Sequence, residues 1–335
     1  MRSYLDFEKP VADLQGKVQE LRSLGDAGDA VAIGEEVAKL EAKAAQALAE
    51  IYARLTPWQK TQVARHPDRP HTSDYLKHLI DDFTPLAGDR SFGEDHAIVA
   101  GLGFFRGRRV ALLGTEKGSD TESRLKHNFG MARPEGYRKA VRVMELSDNF
   151  GLPVVSLVDT AGAYPGIGAE ERHIAEAIAV NLREMMLLEV PIIATVIGEG
   201  GSGGALGIGV ADRVLILENA YYSVISPEGC AAILWKDRSA AAKAAEALKI
   251  TAKHLFELGL VDEVVPEPLG GAHTDPDGTS VLLKQTLLKH LELLQTMSPE
   301  QRLKQRYAKF RNFGQVLEKP VVQPEKSEPA VGVEI

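Results

Sequence analysis

The chain has 335 residues and a single cysteine, Cys230. One cysteine excludes an intramolecular disulfide and a zinc ribbon, and it is typical of a protein that works in the reducing cytoplasm. An excess of basic residues is also missing, since the formal net charge is −8. That charge argues against a surface that binds nucleic acid or anionic membranes. We therefore expect neither nucleic acid nor a membrane among the partners of this chain.

Long apolar runs are absent as well. No run approaches the roughly 20 residues of a membrane-spanning helix, and residues 1–8 lack the apolar stretch of a signal peptide. Hydrophobic residues make up 44% of the chain and charged residues 26%, as in ordinary globular proteins. The length permits a full hydrophobic core, so we expect one large domain with appendages.

The most informative segment is an apolar run at residues 192–197 that ends in five glycines between Gly198 and Gly204. A β-branched run flanked by proline and glycine predicts a buried strand. The glycines predict a tight turn into a helix whose first turn has almost no side chains. The free N–H groups and the positive dipole at a helix start stabilise negative charge. We therefore expect an anion, or a group that becomes anionic during a reaction, to approach the backbone here.

Several known patterns overlap on these glycines. Gly198-x-Gly200-x-x-Gly203 matches the dinucleotide-binding fingerprint, and Glu218 lies 20 residues after its first glycine. Only residues 205–210 are available for the crossover helix that this fingerprint requires, which weakens the dinucleotide interpretation.

Gly200-x-Ser202-x-Gly204 matches the nucleophile elbow of α/β-hydrolases, with Asp262 and His273 following in the required order. Spacing alone excludes neither the hydrolase nor the dinucleotide interpretation. A third interpretation is an oxyanion hole built from paired backbone N–H groups. A fourth is that the glycines only permit close packing of a helix on a strand.

Residues 1–60 are predicted to be helical, because apolar side chains recur at three- and four-residue spacing. They form two sets, Val11, Leu14, Val18 and Leu21, and then Val37, Leu40, Ala44, Ala47, Leu48 and Ile51. Glycine and aspartate at residues 25–34 predict the turn between the two helices. This arm either packs on the main domain or binds another subunit.

From residue 97 the pattern alternates between strands and helices. Strands are predicted at residues 97–105, 109–113, 153–158 and 192–197 and from residue 212, and helices at residues 134–150 and 168–188. A short helix is predicted to begin at a cap near Thr72. This alternation is typical of an α/β protein with a mostly parallel sheet. The loops after Asp159 and Gly198 are then expected at the carboxyl ends of neighbouring strands, where ligands bind.

Four motifs stand in one order along the chain. They are Asn128-Phe-Gly-Met-Ala-Arg-Pro-Glu-Gly-Tyr-Arg-Lys-Ala140, Asp159-Thr-Ala-Gly-Ala-Tyr-Pro-Gly-Ile-Gly-Ala-Glu-Glu171, Gly198-Glu-Gly-Gly-Ser-Gly-Gly-Ala-Leu206 and Tyr222-Ser-Val-Ile-Ser-Pro-Glu-Gly-Cys-Ala231. Through these four motifs, the chain resembles the carboxyltransferase alpha subunits of bacterial acetyl-CoA carboxylases. The resemblance extends from the start of the chain to about residue 312. One departure is Ala161, where the family usually has proline, and it removes no reactive group.

The resemblance implies an α/β fold of the crotonase-like (ClpP/crotonase) type, a spiral of ββα units with an N-terminal helical extension. The expected division is a helical arm at residues 1–70, a crotonase-like carboxyltransferase domain at 71–312 and a tail at 313–335. The tail has three prolines and three glutamates from Lys319 onward and no apolar periodicity, which predicts disorder.

By the same resemblance, the carboxyl group of carboxybiotin on a separate carrier protein is transferred to acetyl-CoA, giving malonyl-CoA for fatty-acid biosynthesis. The implied partners are a carboxyltransferase beta subunit in an α2β2 heterotetramer, the biotin carboxyl carrier protein and biotin carboxylase. The beta subunit in this family usually carries the zinc ribbon. No metal is therefore expected in this chain.

The resemblance also implies the site. The backbone amides of Gly203 and Gly204 are the expected oxyanion donors, because both the thioester enolate and the ureido group of biotin place negative charge on an oxygen. The residues expected to bind substrate are Gly162, Ala163, Tyr164, Gly200 and Gly201. The displaced biotin nitrogen can itself accept the proton, so the chain needs no acid–base pair.

Other interpretations remain open at this point. A crotonase-type hydratase or isomerase would need a carboxylate over the thioester, and Glu199 or Glu218 would have to serve. A non-catalytic scaffold would use the helical arm to bind partners. The densest basic zone either contacts CoA phosphates or an acidic partner, or simply faces solvent. It comprises Lys117, Arg124, Lys126, Arg133, Arg138 and Arg142.

Overall fold

The computed structural model describes residues 3–25 and 30–314. The chain begins with a 3-10 helix at Asp6–Glu8 and two antiparallel helices, α1 (Lys9–Gly25) and α2 (Ala30–Tyr52). Val11, Ala44 and Leu48 are buried between them, so the two predicted helices are confirmed. Gly34, expected in the turn, lies inside α2, and residues 26–29 of that turn lie outside the described residues.

Two short helices, α3 (Pro57–Ala64) and α4 (Thr72–Leu79), follow α2. The predicted helix at Thr72 is confirmed, and its N-cap residue is His71. The Thr72 hydroxyl instead donates to the carbonyl oxygen of Thr115 at 2.6 Å. This side chain is therefore used to attach α4 to the sheet rather than to begin a helix.

A single mixed sheet forms the centre of the molecule. Its strands are β1 (Asp81–Pro85), β2 (Ile98–Phe105), β3 (Arg108–Thr115), β4 (Val154–Thr160), β5 (Ile192–Gly201), β6 (Arg213–Leu217), β7 (Tyr221–Ser223) and β8 (Glu263–Val265). Their order is β1-β2-β3-β4-β5-β6-β8, and β7 pairs with the end of β5. The pairs β1–β2 and β2–β3 are antiparallel and the others are parallel, so the predicted α/β class with a mostly parallel sheet is confirmed.

Helices surround this sheet and supply the rest of the core. They are α5 (Thr121–Lys126), α6 (Pro134–Asn149), α7 (Ile167–Glu171), α8 (Ile174–Leu187), α9 (Ser202–Leu206), α10 (Pro227–Trp235), α11 (Ala241–Leu248), α12 (Ala252–Glu257), α13 (Pro276–Gln295) and α14 (Pro299–Arg311), with 3-10 helices at Asn128–Gly130 and Arg238–Ala240. Helix α6 contacts β2, β3 and α8, and α13 contacts α4, β5 and β8. Every residue of β4 and β5 is buried, as expected for strands covered on both faces. None of the described helices combines the length and apolar character needed to cross a membrane.

The helix predicted at residues 168–188 has different bounds in the structure. The single helix expected at residues 168–188 is wrong: it is broken between α7 and α8, where His173 has a left-handed φ of 64°. At this break the Arg172 carbonyl accepts a hydrogen bond from Arg138 at 3.1 Å, a long-range contact that helical periodicity does not reveal. The predicted tail from residue 315 onward lies outside the described residues.

The strand expected to end at residue 197 continues as β5 through Gly201. Its last residues pair with Thr160 of β4 and with β7. A Cβ at Gly200 would lie 2.8 Å from the Tyr222 ring, and one at Gly201 would lie 2.2 Å from the carbonyl oxygen of Ala161. These glycines therefore extend the strand where side chains would separate it from its neighbours.

A buried ion pair connects the last described helix to the sheet. Arg306 donates to both carboxylate oxygens of Asp212, at 2.8 and 2.9 Å, and to the carbonyl oxygens of Met185 and Leu188. The two side chains are 0% and 3% exposed. Because a buried charge without its partner is costly, α14 is held strongly to the sheet.

We predict that Arg306→Met lowers the free energy of unfolding by roughly 3–5 kcal/mol, because Asp212 would stay buried without a counter-charge. Urea denaturation followed by circular dichroism measures this loss. The control is Tyr307→Ala at the neighbouring exposed position, which should change the free energy by less than about 0.5 kcal/mol. Equal effects of the two substitutions would contradict the assigned role of the ion pair.

Candidate active site

The carboxyl ends of β4 and β5 lie side by side, with Thr160 paired to Gly200. The loop at residues 161–166 follows β4, and α9 follows β5. The sequence-based prediction that these two segments are neighbours is therefore confirmed. Parallel pairing makes this edge of the sheet the expected place for a ligand.

A cleft of about 480 Å³ opens at this edge. Its walls are the loop after β4, the first turns of α8, the start of α9 and residues 224–226. Of the residues predicted to bind substrate, Gly162, Ala163 and Tyr164 line the cleft, and so does Gly203. The Tyr164 ring is held in place by the Arg133 guanidinium, which lies 5.1 Å from the ring centroid.

Gly204 lies directly behind this cleft. A Cβ at this position would be 2.4 Å from the carbonyl carbon of Gly162 and 2.5 Å from the nitrogen of Ala163. At Gly203 the nearest atom would be Ile178 Cδ1 at 3.6 Å, an ordinary contact. Gly204 is thus required by main-chain packing, whereas Gly203 borders open space.

Gly200 and Gly201, also predicted to bind substrate, do not line the cleft in this structure. Both are buried within β5, where they permit the close approach of β7 and of the loop after β4. The predicted glycines therefore have two roles. Gly162 and Gly203 border the cleft, whereas Gly200 and Gly201 permit close packing at the edge of the sheet.

Ser202 lies at the sharp turn between β5 and α9, with a φ of 51°. This turn resembles a nucleophile elbow, but the structure does not bring the other members of a triad to it. Asp262 accepts from the backbone N–H of Val214 and pairs with Lys309, and His273 stacks on His66 with ring centroids 3.7 Å apart. The geometry gives the hydrolase interpretation no support.

The dinucleotide interpretation also lacks its geometry. Gly198 and Gly200 lie inside β5, not in a turn after it, and α9 is only five residues long. A Cβ at Gly198 would lie 2.5 Å from Oδ1 of Asp159, so this glycine accommodates a neighbouring carboxylate. Close packing within the sheet therefore accounts for Gly198 and Gly200 of the fingerprint.

Beside the cleft, the strand ends carry a buried group of polar and ionised side chains that the sequence did not reveal. We call it the charged cluster, and it comprises Arg65, His71, Lys117, Asp159, Glu199, Tyr221 and Glu228. Several of its members line a second cleft of about 330 Å³, which shares Ala161 with the first. A signal was present, since Asp159 and Glu199 directly follow apolar strand runs, where a buried carboxylate needs a cation.

The charges of this cluster determine the ionisation of its two central carboxylates. Burial alone would raise the pKa of Glu199, but the charges of Lys117 and Arg65 outweigh it and hold that pKa below its usual value. Burial would also raise the pKa of Asp159, but Lys117 and His71 outweigh burial and lower that pKa. Both groups therefore remain ionised and are poor proton acceptors at neutral pH.

This result bears on the hydratase interpretation, which needs a carboxylate over the thioester. Glu199 is held by Lys117, Arg65 and Tyr221 and does not line the larger cleft. Glu218 accepts from the backbone N–H of Glu267 at 3.2 Å and does not line it either. Neither carboxylate therefore faces the larger cleft.

The predicted basic zone is not one surface in the structure. Lys117 belongs to the charged cluster, Arg138 pairs with Asp89 at 2.9 Å, and Arg142 donates to backbone carbonyls at residues 86–88. These cations are used inside the fold. Within residues 3–25 and 30–314, no group of three histidine, cysteine or carboxylate side chains is arranged to hold a metal ion.

A second buried ion pair supports the end of β5. Arg69 donates through Nη1 and Nη2 to the carboxylate of Glu267 at 3.0 and 2.6 Å, and through Nε to the carbonyl oxygen of Ile197 at 2.8 Å. Burial would raise the pKa of Glu267, but the Arg69 guanidinium and hydrogen bonds from Asn219 lower it to about 2. This carboxylate therefore contributes stability only while it is ionised.

Comparison with known proteins gives a family for this arrangement. The sequence model described as acetyl co-enzyme A carboxylase carboxyltransferase-like matches residues 4–314. An acetyl-coenzyme A carboxylase carboxyl transferase subunit alpha from Methylobacterium sp. (strain 4-46) is 61% identical over 317 residues, covering 95% of this chain and 100% of that protein. A protein of the same name from Beijerinckia indica subsp. indica is 58% identical with the same coverage.

Solved structures of more distant sequence share the fold. Transcarboxylase 12S, with methylmalonyl-coenzyme A and methylmalonic acid bound, aligns with a TM-score of 0.56 at 20% identity, over 68% of this chain. The chain spans 42% of that protein's length. A Pseudomonas malonate decarboxylase hetero-tetramer in complex with coenzyme A aligns with a TM-score of 0.56 at 16% identity, over 70% of this chain and 90% of that one. The predicted crotonase-like fold class is confirmed.

We predict that acid weakens the fold through Glu267. Its pKa in the folded chain lies below the value near 4.3 of an unfolded chain, so its contribution is complete above that value and is lost as the pH falls toward 2. Glu267→Gln should lower the free energy of unfolding at pH 7 by roughly 3 kcal/mol and flatten its decline below pH 5. Urea denaturation at a series of pH values measures both effects.

The matched control is Glu257→Gln, because Glu257 is an exposed carboxylate that only approaches Lys253 at 3.9 Å. This substitution should leave the free energy of unfolding and its pH dependence nearly unchanged. A wild-type pH dependence in the Glu267 variant would contradict the assigned role of the buried pair.

Proposed function

The chain belongs to the acetyl-CoA carboxylase carboxyltransferase family, and on this premise we propose how it acts. It is the alpha subunit of the carboxyltransferase, which transfers the carboxyl group of carboxybiotin to acetyl-CoA and yields malonyl-CoA for fatty-acid biosynthesis. The observation that carries this conclusion is the cleft at the ends of β4 and β5, where glycine main chain borders the space that a substrate would fill.

The oxyanion donors in this proposal are the backbone amides of Gly203 and Gly204. They lie in the first turn of α9, where N–H groups have no acceptor within the helix. Carboxyl transfer generates a negative oxygen, and two aimed N–H groups stabilise it better than water does. Each such donor contributes roughly 3 kcal/mol in enzymes where it has been removed.

The loop after β4 forms the opposite wall. Gly162, Ala163 and Tyr164 are proposed to contact substrate there, since all three line the cleft. Gly200 and Gly201 act indirectly in this proposal, because their missing side chains let the loop approach β5. A cleft of about 480 Å³ is within the range of small-molecule sites.

The proposal includes the assembly. A beta subunit completes an α2β2 heterotetramer. The biotin carboxyl carrier protein delivers carboxybiotin, and biotin carboxylase carboxylates the biotin again. All of these steps take place in the cytoplasm in this proposal. We retain the division into an arm at residues 1–70, a carboxyltransferase domain at 71–312 and a tail at 313–335. Arg65 and Arg69 belong to the arm in this division but contact β5 through Glu199 and Ile197.

The first experiment is carboxyl transfer between malonyl-CoA and biocytin, with this chain alone and with its beta subunit. We expect transfer only in the mixture, because this chain supplies one of the two anion sites. Full activity of the chain alone would contradict the shared site, and no activity in the mixture would contradict the proposed function.

Removal of one amide hydrogen tests the oxyanion donors. Gly203→Pro deletes an N–H in the first turn of α9, where this N–H has no acceptor within the helix, and should lower kcat by about 100–1000-fold. Gly203→Ala retains the N–H and adds a Cβ that meets only Ile178, so it should have a much smaller effect. The assay is carboxyl transfer by the assembled complex, with thermal unfolding to verify that both variants fold.

A proline variant with wild-type kcat would show that this amide does not stabilise the reaction. Gly204 is unsuitable for the same test, since any side chain there collides with the backbone of Gly162. Loss of activity in a Gly204 variant would therefore not distinguish catalysis from packing.

A further inference from the structure

Two buried carboxylates end the strands that support the cleft. Asp159 lies two residues before Ala161, and Glu199 lies three residues before Ser202. Both of these following residues line the cleft. Thr160 and Gly200 lie between the carboxylates and these cleft residues, and they are paired with each other. A shift of either carboxylate is therefore transmitted to a cleft wall.

Lys117 joins the two carboxylates. Its ammonium nitrogen lies 2.7 Å from Oδ1 of Asp159 and 2.6 Å from Oε1 of Glu199. The carboxylate side chains are 1% and 8% exposed, and that of Lys117 is 15% exposed. The same Asp159 oxygen also accepts from the backbone N–H of Glu199 at 2.9 Å, so this contact lies where β4 and β5 meet.

The remaining members of the charged cluster do not replace Lys117. His71 contacts the other oxygen of Asp159 at 2.9 Å. Arg65 and Tyr221 contact the other oxygen of Glu199 at 2.7 and 2.5 Å.

Arg65 is itself shared with Glu228, at 2.5 Å. Without the ammonium, Glu199 and Glu228 would share the guanidinium of Arg65. Asp159 would keep only the contact with His71 and the more distant charge of Arg69. Lys117 is therefore the single group of the cluster that neutralises both strand ends at once.

We propose that Lys117 is a positioning residue for carboxyl transfer, which holds the carboxylates of Asp159 and Glu199 together and thereby fixes the spacing of the two cleft walls. This inference rests on the proposed function for its kinetic consequence, but its structural consequence is independent of it. The two carboxylates would repel each other in a medium of low dielectric if the ammonium were removed. The ends of β4 and β5 would then separate.

The kinetic test is Lys117→Met in the complete complex with the beta subunit. Since a misplacement of about 1 Å can cost roughly 100-fold in rate, we expect kcat for carboxyl transfer near pH 8 to fall by about that factor, with little change in KM. Protonation of one carboxylate relieves the repulsion. The loss of kcat relative to the wild type should therefore become smaller as the pH is lowered to 6. A defect that is only structural would not depend on pH in this way.

Removal of one negative charge should rescue the variant. We expect Lys117→Met with Glu199→Gln to recover at least about tenfold of the lost kcat, because the glutamine still accepts from Arg65 while the repulsion is gone. If Lys117→Met alone does not fold, a folded double variant supports the same repulsion. Failure of both variants to fold, or absence of rescue, overturns the proposal.

The matched control is Lys139→Met. Lys139 is also a buried lysine, paired with Glu94 and bonded to the carbonyl oxygen of Asp95 at 2.8 Å, but neither of these partners belongs to β4 or β5. This variant should lose stability while its kcat and pH profile remain those of the wild type. The same kinetic loss in both lysine variants would overturn the specific role of Lys117.

Amide hydrogen exchange tests the geometry without any assay of activity. Peptides that cover residues 160–166 and 200–206 should exchange faster in Lys117→Met than in the wild type, and protection should return in the double variant. Unchanged protection overturns the proposal even if the wild-type complex is active. An inactive wild-type complex would count against the proposed function alone, and hydrogen exchange would still decide the role of Lys117.

Discussion

The contact between Gly204 and the backbone of Gly162 and Ala163 is the constraint on which the cleft depends. A Cβ at Gly204 would lie 2.4 Å from the carbonyl carbon of Gly162, so α9 and the loop after β4 meet main chain against main chain. Parallel pairing of β4 and β5 brings the two segments to this edge, and the glycines let them touch. The first turn of α9 borders the cleft as a consequence, and a helix start is where unpaired N–H groups are found.

The same edge concentrates charge. Burial disfavours the ionisation of Asp159 and Glu199. Lys117 reverses that preference at both, together with His71 at Asp159 and Arg65 at Glu199. Carboxylates held in this way are unsuited to accept protons, which agrees with a reaction in which the chain stabilises an anion and moves no proton itself. The buried charges thus support the site mechanically, and the neutral backbone amides of Gly203 and Gly204 stabilise the anion in our proposal.

Much of the fold follows from local patterns, because apolar periodicity and β-branched runs reflect which face of an element is buried. The two arm helices, the strand pair β2–β3 and the adjacency of the two glycine-containing loops were predicted in this way. The errors arose where distant residues determine the outcome. At the break before His173 the Arg172 carbonyl accepts a hydrogen bond from Arg138. The Thr72 hydroxyl at the start of α4 donates to the carbonyl oxygen of Thr115 in β3 and does not cap the helix.

The sequence by itself determined the family, the buried strand at residues 192–197 and the run of glycines after residue 197, since these depend on residue type and order along the chain. Only the tertiary structure decided which glycines border the cleft, Gly162 and Gly203, and which lie inside the sheet. It also decided that Lys117, which resembled a surface cation, joins two strand ends. Such partners are far apart in sequence, 82 residues for Lys117 and Glu199, and the neighbouring positions of β3, β4 and β5 in the sheet bring them within hydrogen-bonding distance.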